Sequence, residues 1–353
     1  MAQNRKKPTI SDIAKMAGVS IATVSRVLGN TDYPVKKEVK ERVLEIAHQM
    51  EYKPNIFSQM LRGGTSREIG IITPSIANPF YAQMISAAEQ ECLQRGYIPL
   101  ICSSRGEAQL EMNHLDMLEE RFVAGIILSS VSNGDGFMKR LSSMHTPLML
   151  FDQTLDQYPG DCIQFDFYKG AYLSTEYLIQ CGHRDILFAS GPLNRGSRKV
   201  MYEGYKQALK DHDLGTNKRK LIPSVSDMET YGESDYQLGK LLGRILLERE
   251  YLPDAVVTIN DITAIGLINH LHSEGVQVPH DISVMGFDDI SICEMVTPPL
   301  STIHQPAFDT GKLAAKYLLD KIEKKTAEPV QVMMEPVLVE RNSVRKIHKK
   351  IRR

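Results

Sequence analysis

The sequence predicts an α/β protein with two kinds of part: an N-terminal three-helix headpiece of helix-turn-helix type, and a body of two parallel-sheet α/β subdomains. Three observations carry the prediction. Two short helical patterns lie about three residues apart near the N-terminus. From residue 69 onward, short apolar runs alternate with helical stretches, the pattern of parallel strands covered by helices. The alternating stretch is about 280 residues long, more than one such sheet comfortably holds.

The headpiece can be read helix by helix. Thr9 with Asp12 three residues later has the form of a capping box; Ile13, Ala14 and Ala17 make one apolar face, and Gly18 stops the helix. Ser20 is placed to cap a second helix over residues 21–28, whose Val24 and Val27 turn to the same core. So short a connection makes the second helix cross the first at a large angle. A third helix, about residues 37–50, spaces Val39, Val43, Ile46, Ala47 and Met50 along one side. Residues 55–61 have helical propensity but are too few to form a stable helix in isolation, and Arg62-Gly-Gly-Thr-Ser reads as a joint.

In the body, strands are expected at residues 69–72, 98–102, 125–128, 148–151 and 162–165, with helices over 81–94 and 107–120. The period restarts with strand 186–189, helix 198–210, strand 255–259, helix 262–273 and strand 283–286. In parallel sheets of this kind a ligand sits beyond the carboxyl ends of the strands, here in the cleft between the subdomains.

Composition narrows the function. With 42% apolar and 24% charged residues, the chain is neither disordered nor fibrous. No run approaches the roughly 18 apolar residues of a membrane span, and residues 1–7 lack the apolar segment of a signal peptide, so a cytoplasmic protein is expected. Cys92, Cys102, Cys162, Cys181 and Cys293 are scattered and odd in number, which suggests neither a disulfide framework nor a zinc site. The net charge of -1 hides a polarity: residues 1–62 hold 11 Lys and Arg against 6 Asp and Glu, residues 345–353 hold 6 against none, and residues 63–344 hold 25 against 37. A basic module on an acidic body suits one end to a polyanion. The ten histidines include no H-E-x-x-H, and neither G-x-S-x-G nor a P-loop occurs. The turn at Gly191-Pro192 lacks G-x-G-x-x-G. No catalytic residue, metal or cofactor is expected.

The outer face of the second helix, Ser20, Ile21, Ala22, Thr23, Ser25 and Arg26, is mostly short or polar, so its backbone can lie close in a DNA major groove. A helical hairpin that never meets DNA is the competing reading, and the tight spacing with the local positive charge favours DNA.

The segment from Thr9 to Leu28 resembles the headpiece of the lac-repressor family of bacterial transcription regulators, and the purine-repressor branch is similar in later motifs. These are Tyr52-Lys-Pro-Asn55, Asn78-Pro-Phe-Tyr81, Gly182-His-Arg-Asp-Ile186, Gly191-Pro192, Asn260-Asp261 with Ala264 and Gly266, Val278-Pro-His-Asp-Ile-Ser-Val284, Gly286-Phe-Asp-Asp289, Pro299-Leu-Ser-Thr-Ile-His-Gln305 and Val339-Glu-Arg341. The resemblance covers essentially the whole chain. It implies a two-lobed periplasmic-binding-protein-like body and a homodimeric regulator, a repressor, on a double-stranded pseudo-palindromic DNA operator. It further implies a small-molecule effector in the cleft, a sugar or sugar derivative, and no contact with a membrane.

Residue by residue, the resemblance places Ile21, Ala22 and Arg26 where bases are read, and Ser20, Thr23, Ser25 and Asn30 where phosphate is touched or the helix supported; Thr9, Asn55 and Ser58 join this DNA-contacting set. Arg26 suits guanine O6 and N7, while Ile21 and Ala22 offer apolar contact, for example with a thymine methyl. Lys36 stands where the family often has a capping serine; a phosphate contact and a plain solvated lysine are both open readings. Leu61 falls where two hinge segments meet in the minor groove and an apolar wedge kinks the site. The implied cleft residues are Phe80, Tyr81, Asp152, Arg195, Ser197, Asn260 and Asp288, with Phe80 as a core residue and Asp152 and Asp288 as strand-end caps the alternative readings. Three residues before Gly204, many relatives place an effector-binding arginine and this chain has Met201; two readings are open, that Arg198 and Lys199, within one helical turn, substitute for it, or that the ligand is chemically different.

The expected division is a headpiece over 1–54, a hinge over 55–66, a body over 67–344 and a basic tail over 345–353, frayed and too short for the coiled coil of a tetramer. Within the body, the first lobe is expected at about 67–165 and 297–328, and the second at about 166–296 and 329–344. The rivals are a two-lobed receptor with no transcriptional role, which would lack the headpiece, and an α/β enzyme with a helical accessory domain, for which no residue set speaks.

Overall fold

The computed structural model describes residues 8–28, 34–52, 66–132, 134–151, 158–193, 195–215, 220–221, 234–326 and 328–347. Asn30, Asn55, Ser58, Leu61 and Asp152 lie outside the described residues, as do residues 348–353. The chain divides into two compact units, residues 1–66 and 67–353.

In the first unit, α1 (Ile10–Ala17), α2 (Ile21–Leu28) and α3 (Lys37–Gln49) surround one small core. Ile13, Ala17, Val24, Val27, Val43 and Ala47 are buried together there. The Thr9 hydroxyl accepts the Asp12 N–H while the Asp12 carboxylate accepts the Thr9 N–H, so the capping box closes in both directions. Gly18 follows in the left-handed conformation, φ 64°, and ends α1 within one residue. Ser20 Oγ accepts the Thr23 N–H at 3.1 Å, capping α2. At the start of α3, Lys36 makes no side-chain cap bond.

The second unit contains two parallel sheets. The first runs β11-β5-β4-β3-β1-β2, formed by β1 (Glu68–Thr73), β2 (Ile98–Ser103), β3 (Gly125–Leu128), β4 (Leu148–Phe151), β5 (Asp161–Phe165) and β11 (Gln331–Met334). Its side chains alternate between two cores. Ile69, Ile71, Ile127, Met149, Phe151 and Ile163 share one core with residues of α4 (Pro79–Gln94) and α11 (Ala307–Ile322). Ile72, Ile126, Leu128, Leu148 and Leu150 pack on the opposite face with α5 (Ala108–Glu120) and α6 (Asp135–Ser143). The central strands β3 and β4 are apolar and buried throughout because helices cover both faces of the sheet there.

The second sheet runs β7-β6-β8-β9, formed by β6 (Ile186–Ala189), β7 (Lys220–Leu221), β8 (Ala255–Thr258) and β9 (Ser283–Met285). Around it lie the paired helices α7 (Phe167–Gln180) with α8 (Gly196–Asp211), and α9 (Asp235–Leu247) with α10 (Asp261–Ser273). Gly239 and Gly266 bring α9 and α10 into backbone contact: a Cβ on Gly266 would collide with the Tyr236 carbonyl oxygen. A further antiparallel pair joins β10 (Thr302–His304) to β12 (Val337–Val339).

Two boundaries differ from expectation. Residues 329–344 do not belong wholly to the second lobe, because Gln331–Met334 pairs in parallel with β5 and completes the first sheet. The basic tail does not fray at residue 345. The Ile347 N–H donates to the Cys181 carbonyl at 2.7 Å, and the Arg345 carbonyl is 3.0 Å from His183 Nε2, so residues 345–347 are pinned to the second lobe.

The chain passes between the lobes three times, after β5, between β9 and α11, and after β11. Phe165, Phe167 and Phe287 pack there with ring centroids 5.3 to 6.0 Å apart. Beside them His304 Nδ1 lies 2.9 Å from Asp289 Oδ2, and Arg341 Nη1 lies 2.8 Å from Asp289 Oδ1. The bond to Asp289 raises the His304 pKa above the ordinary histidine value, and the same bond lowers that of Asp289.

Two outcomes follow for stability. Gly266→Ala should destabilise the body by about 1–3 kcal/mol or more in urea unfolding, through overpacking against backbone. For the raised His304, the contribution is complete below about pH 6.5 and lost as pH rises through the folded-state value. The gap in Tm between the native protein and His304→Gln should therefore shrink from about pH 6 to about pH 9; a constant gap would mean that His304 acts without its charge.

Candidate functional site

The face of α2 is set by helix geometry. At about 100° per residue, residues 21, 22, 25 and 26 fall within one arc of roughly 140°, while Val24 and Val27 point into the core on the other side. Ile21, Ala22 and Arg26 are exposed, Ile21 at 46%, a high value for isoleucine. Ser25 and Thr23 are half-buried at the margins, and the Ser20 and Thr23 hydroxyls lie 2.9 Å apart. The arrangement is a rigid surface of short side chains carrying one long cation, held by a cap at its start and a core behind it. The Thr9 hydroxyl is engaged with Asp12 at 2.6 Å and serves the cap of α1; Lys36 is exposed.

A second site lies at the carboxyl ends of the strands in the body. Asn78 caps α4 by accepting the Phe80 N–H, and its amide donates to Asp235 Oδ2 at 3.0 Å, tying the first lobe to the start of α9 in the second. Phe80 is 4% exposed and packs edge-on against the half-buried Tyr81, ring centroids 5.2 Å apart. Phe80 thus closes the core, and Tyr81 is the ring at the margin. Arg195, Ser197 and Arg198 stand at the start of α8. Arg198 Nη1 donates to the Pro192 carbonyl at 3.2 Å, and its pKa is pushed down to about 10 by burial first and by the nearby Arg195 next. Asn260 caps α10, its Oδ1 accepting the Thr263 N–H at 2.8 Å. Asp288 is buried with φ 119°, beside the first lobe's return strand at Ile303.

The hydroxyls of Thr73, Ser104, Ser129 and Ser190 are buried and have no hydrogen-bond partner. Thr73 ends β1, and the other three stand just beyond β2, β3 and β6. Buried polar groups are rarely left unpaired, and these four share one kind of place in the fold, the carboxyl end of a strand.

Met201 is 2% exposed and part of the core, so the side chain at the position where relatives place an effector-binding arginine does not reach the cleft. Sequence reasoning missed Asp261, whose carboxylate accepts the Ile290 N–H at 2.9 Å and the Thr302 hydroxyl at 2.6 Å and is pushed up to about 6 by burial. It also missed Glu111, which accepts the Ser130 hydroxyl at 2.5 Å and the Val131 N–H at 2.7 Å and so shapes the turn after β3. The available signal for Glu111 was a carboxylate spaced four and seven residues from Leu115 and Leu118, on the apolar side of α5.

Comparison with known proteins agrees with this geometry. The family model for bacterial regulatory proteins of the lacI family matches residues 9–55, and that for a periplasmic binding protein-like domain matches residues 175–344. The chain is 34% identical over 338 residues to the HTH-type transcriptional repressor PurR of Pasteurella multocida (strain Pm70), covering 96% of this chain and 98% of that one. It is 33% identical over 343 residues to PurR of Haemophilus influenzae (strain PittEE), covering 96% and 99%. Among solved structures, the lac repressor dimer bound to operator and the anti-inducer ONPF aligns at TM-score 0.78 and 26% identity, covering 96% of this chain and all of that one. The complex of the transcriptional regulator CelR with cellobiose aligns at 0.69 and 25%, covering 95% and 99%.

The position of Met201 can be tested. Met201→Ala should cost about 2–5 kcal/mol of stability in urea unfolding, as for a core methionine. Met201→Arg should cost more, because it buries an unpaired cation; a Met201→Arg protein as stable as the native one would show that the site opens toward solvent or ligand.

Proposed function

We propose, because the chain belongs to the lacI family of bacterial regulatory proteins, that this transcriptional repressor binds a pseudo-palindromic operator as a homodimer and is released or recruited by a small molecule in the cleft. One observation carries the DNA reading: Ile21, Ala22 and Arg26 project from one face of a helix fixed from behind by Val24 and Val27. Arg26 reads a guanine through O6 and N7, Ile21 and Ala22 make apolar base contacts, and Ser20, Thr23, Ser25, Asn30, Thr9 and Lys36 serve the backbone or the helix. Asn55, Ser58 and Leu61 form the hinge, with Leu61 as the minor-groove wedge.

A second copy of the chain is supported by the edge of the first sheet. There β2 leaves Ile98 at 57% and Ile101 at 48% exposure, and Leu93 at 56% lies just before it. Apolar side chains along an unpaired edge suit burial by a partner. The effector site is the row of strand-end hydroxyls with Tyr81, Asp152, Arg195, Ser197, Arg198, Asn260 and Asp288, and a sugar or sugar derivative fits hydroxyl and amide partners of this kind. The mechanism is linkage: a ligand with unequal affinity for two lobe angles shifts the spacing of the two hinge segments and with it operator affinity.

The test is fluorescence anisotropy on an operator obtained by selection in vitro, with random DNA beside it. Arg26→Ala should cost about 1–3 kcal/mol on the operator and relax specificity at one position per half-site; equal losses on both DNAs would remove the base-reading role. Leu61→Ala should weaken operator binding while the Tm of the body stays unchanged. Sedimentation should give a dimer at micromolar concentration, and a tetramer would overturn the assembly.

A further inference from the structure

Beside the strand-end hydroxyls, a cavity of about 540 Å³ is lined by Gly106, Ala108, Met112, Val131, Ser132, Gly136, Phe137 and Arg195. Seven of these come from the first lobe and one, Arg195, reaches in from the second. Among the described lining residues there is one cation and no carboxylate. Arg195 makes no ion pair or side-chain hydrogen bond with the described residues, and its guanidinium lies so close to the Gly106 backbone that a Cβ there would be 2.7 Å from Nη2. The Ser132 hydroxyl is buried and without a hydrogen-bond partner. Arg198, one turn farther along α8, adds a second positive charge that is only partly answered by Asp235. The Ala108 end of α5, where Glu107 makes no side-chain cap bond, contributes the positive end of a 13-residue helix. A half-buried guanidinium turned toward a cavity offers a planar, bidentate set of donors, and an oxyanion is the group that matches it.

The geometry points to an anionic effector: its phosphoryl or carboxylate group enters this cavity, where the Arg195 guanidinium and the Ser132 hydroxyl bind its oxygens, while its remaining polar groups face the strand-end hydroxyls. This rests on the reading of the cleft as the effector site. It also gives the ligand a reason to draw the lobes together, because Arg195 belongs to one lobe and the rest of the lining to the other.

The probe is inorganic phosphate, titrated into the full-length protein while Tm is followed, with sodium chloride at matched ionic strength as the reference. A saturable, phosphate-specific rise is expected. It should be shifted to roughly ten- to hundred-fold higher phosphate in Arg195→Gln, less in Arg195→Lys, and not at all in the exposed Lys312→Gln, on a helix away from the cavity. Ser132→Ala, which keeps every charge, should give a smaller shift in the same direction. No phosphate-specific rise, or an unchanged one in Arg195→Gln, overturns the proposal. Glucose 6-phosphate and gluconate, each against glucose, separate the phosphoryl from the carboxylate source; a neutral sugar that binds as tightly as both, equally in Arg195→Gln, also overturns it. Operator anisotropy in the same samples keeps the two readings apart. Arg195-dependent binding that leaves operator affinity untouched supports the anion site and counts against the gating role of the cleft.

Discussion

The body depends on one buried carboxylate. Asp261 opens α10 in the second lobe, and its two oxygens accept the Ile290 N–H and the Thr302 hydroxyl, both on the segment between β9 and α11 that returns to the first lobe. Its own N–H donates to the Phe287 carbonyl at 2.8 Å. One side chain therefore fixes a helix start to a crossover segment in a place water does not reach. Such a group is costly unless every partner is present, and the carboxyl, pushed up to about 6, records the remaining desolvation cost. Gly286 is glycine for the same reason, since a Cβ there would occupy the space of the Asp261 carboxylate.

From that anchor the cleft inherits its geometry. Asn260, the residue before Asp261, caps the same helix, and Asp288 lies one residue past Phe287, so two cleft residues are positioned by the element that holds the crossover. Asn260 and Asp288 are thus joined to the crossover directly, without a long path of coupled side chains. The Asn78–Asp235 bond and Arg195 against Gly106 add contacts across the cleft farther out, in places where a change of lobe angle would first be felt.

The headpiece is governed by different economics. Among the described residues its core is seven buried side chains, too few to tolerate a poor cap or a misplaced turn, and the capping box at Thr9, the left-handed Gly18 and the Ser20 cap supply the missing definition locally. Local rules suffice there, so the sequence could be read almost residue for residue. Lys36 illustrates the converse: lacking a capping side chain, it leaves the start of α3 to packing alone.

The sequence by itself marked the three headpiece helices, β1 to β6, β8 and β9, the helices α4, α5, α8 and α10, and the exposed face of α2, because these follow from apolar runs, from the period of 3.6 and from caps that act within four residues; α6, α7, α9, α11, β7, β10, β11 and β12 were not among the expected elements. It also gave away Ser20, Ile21, Ala22 and Arg26 as one surface. The alternate burial of Ile71 and Ile72 in separate cores, the return of Gln331–Met334 to the first sheet, and the pinning of Ile347 under Cys181 were decided only by tertiary structure. The last two depend on partners more than 100 residues away and the first on strands and helices 40 or more residues away, and no local period encodes a distant partner. The cleft shows the same division. Met201 and Arg198 stand three residues apart on α8, and only packing sends the first into the core and leaves the second beside Arg195. Which cation lines the cavity is thus a property of the fold, while the presence of cations at that helix start is a property of the sequence.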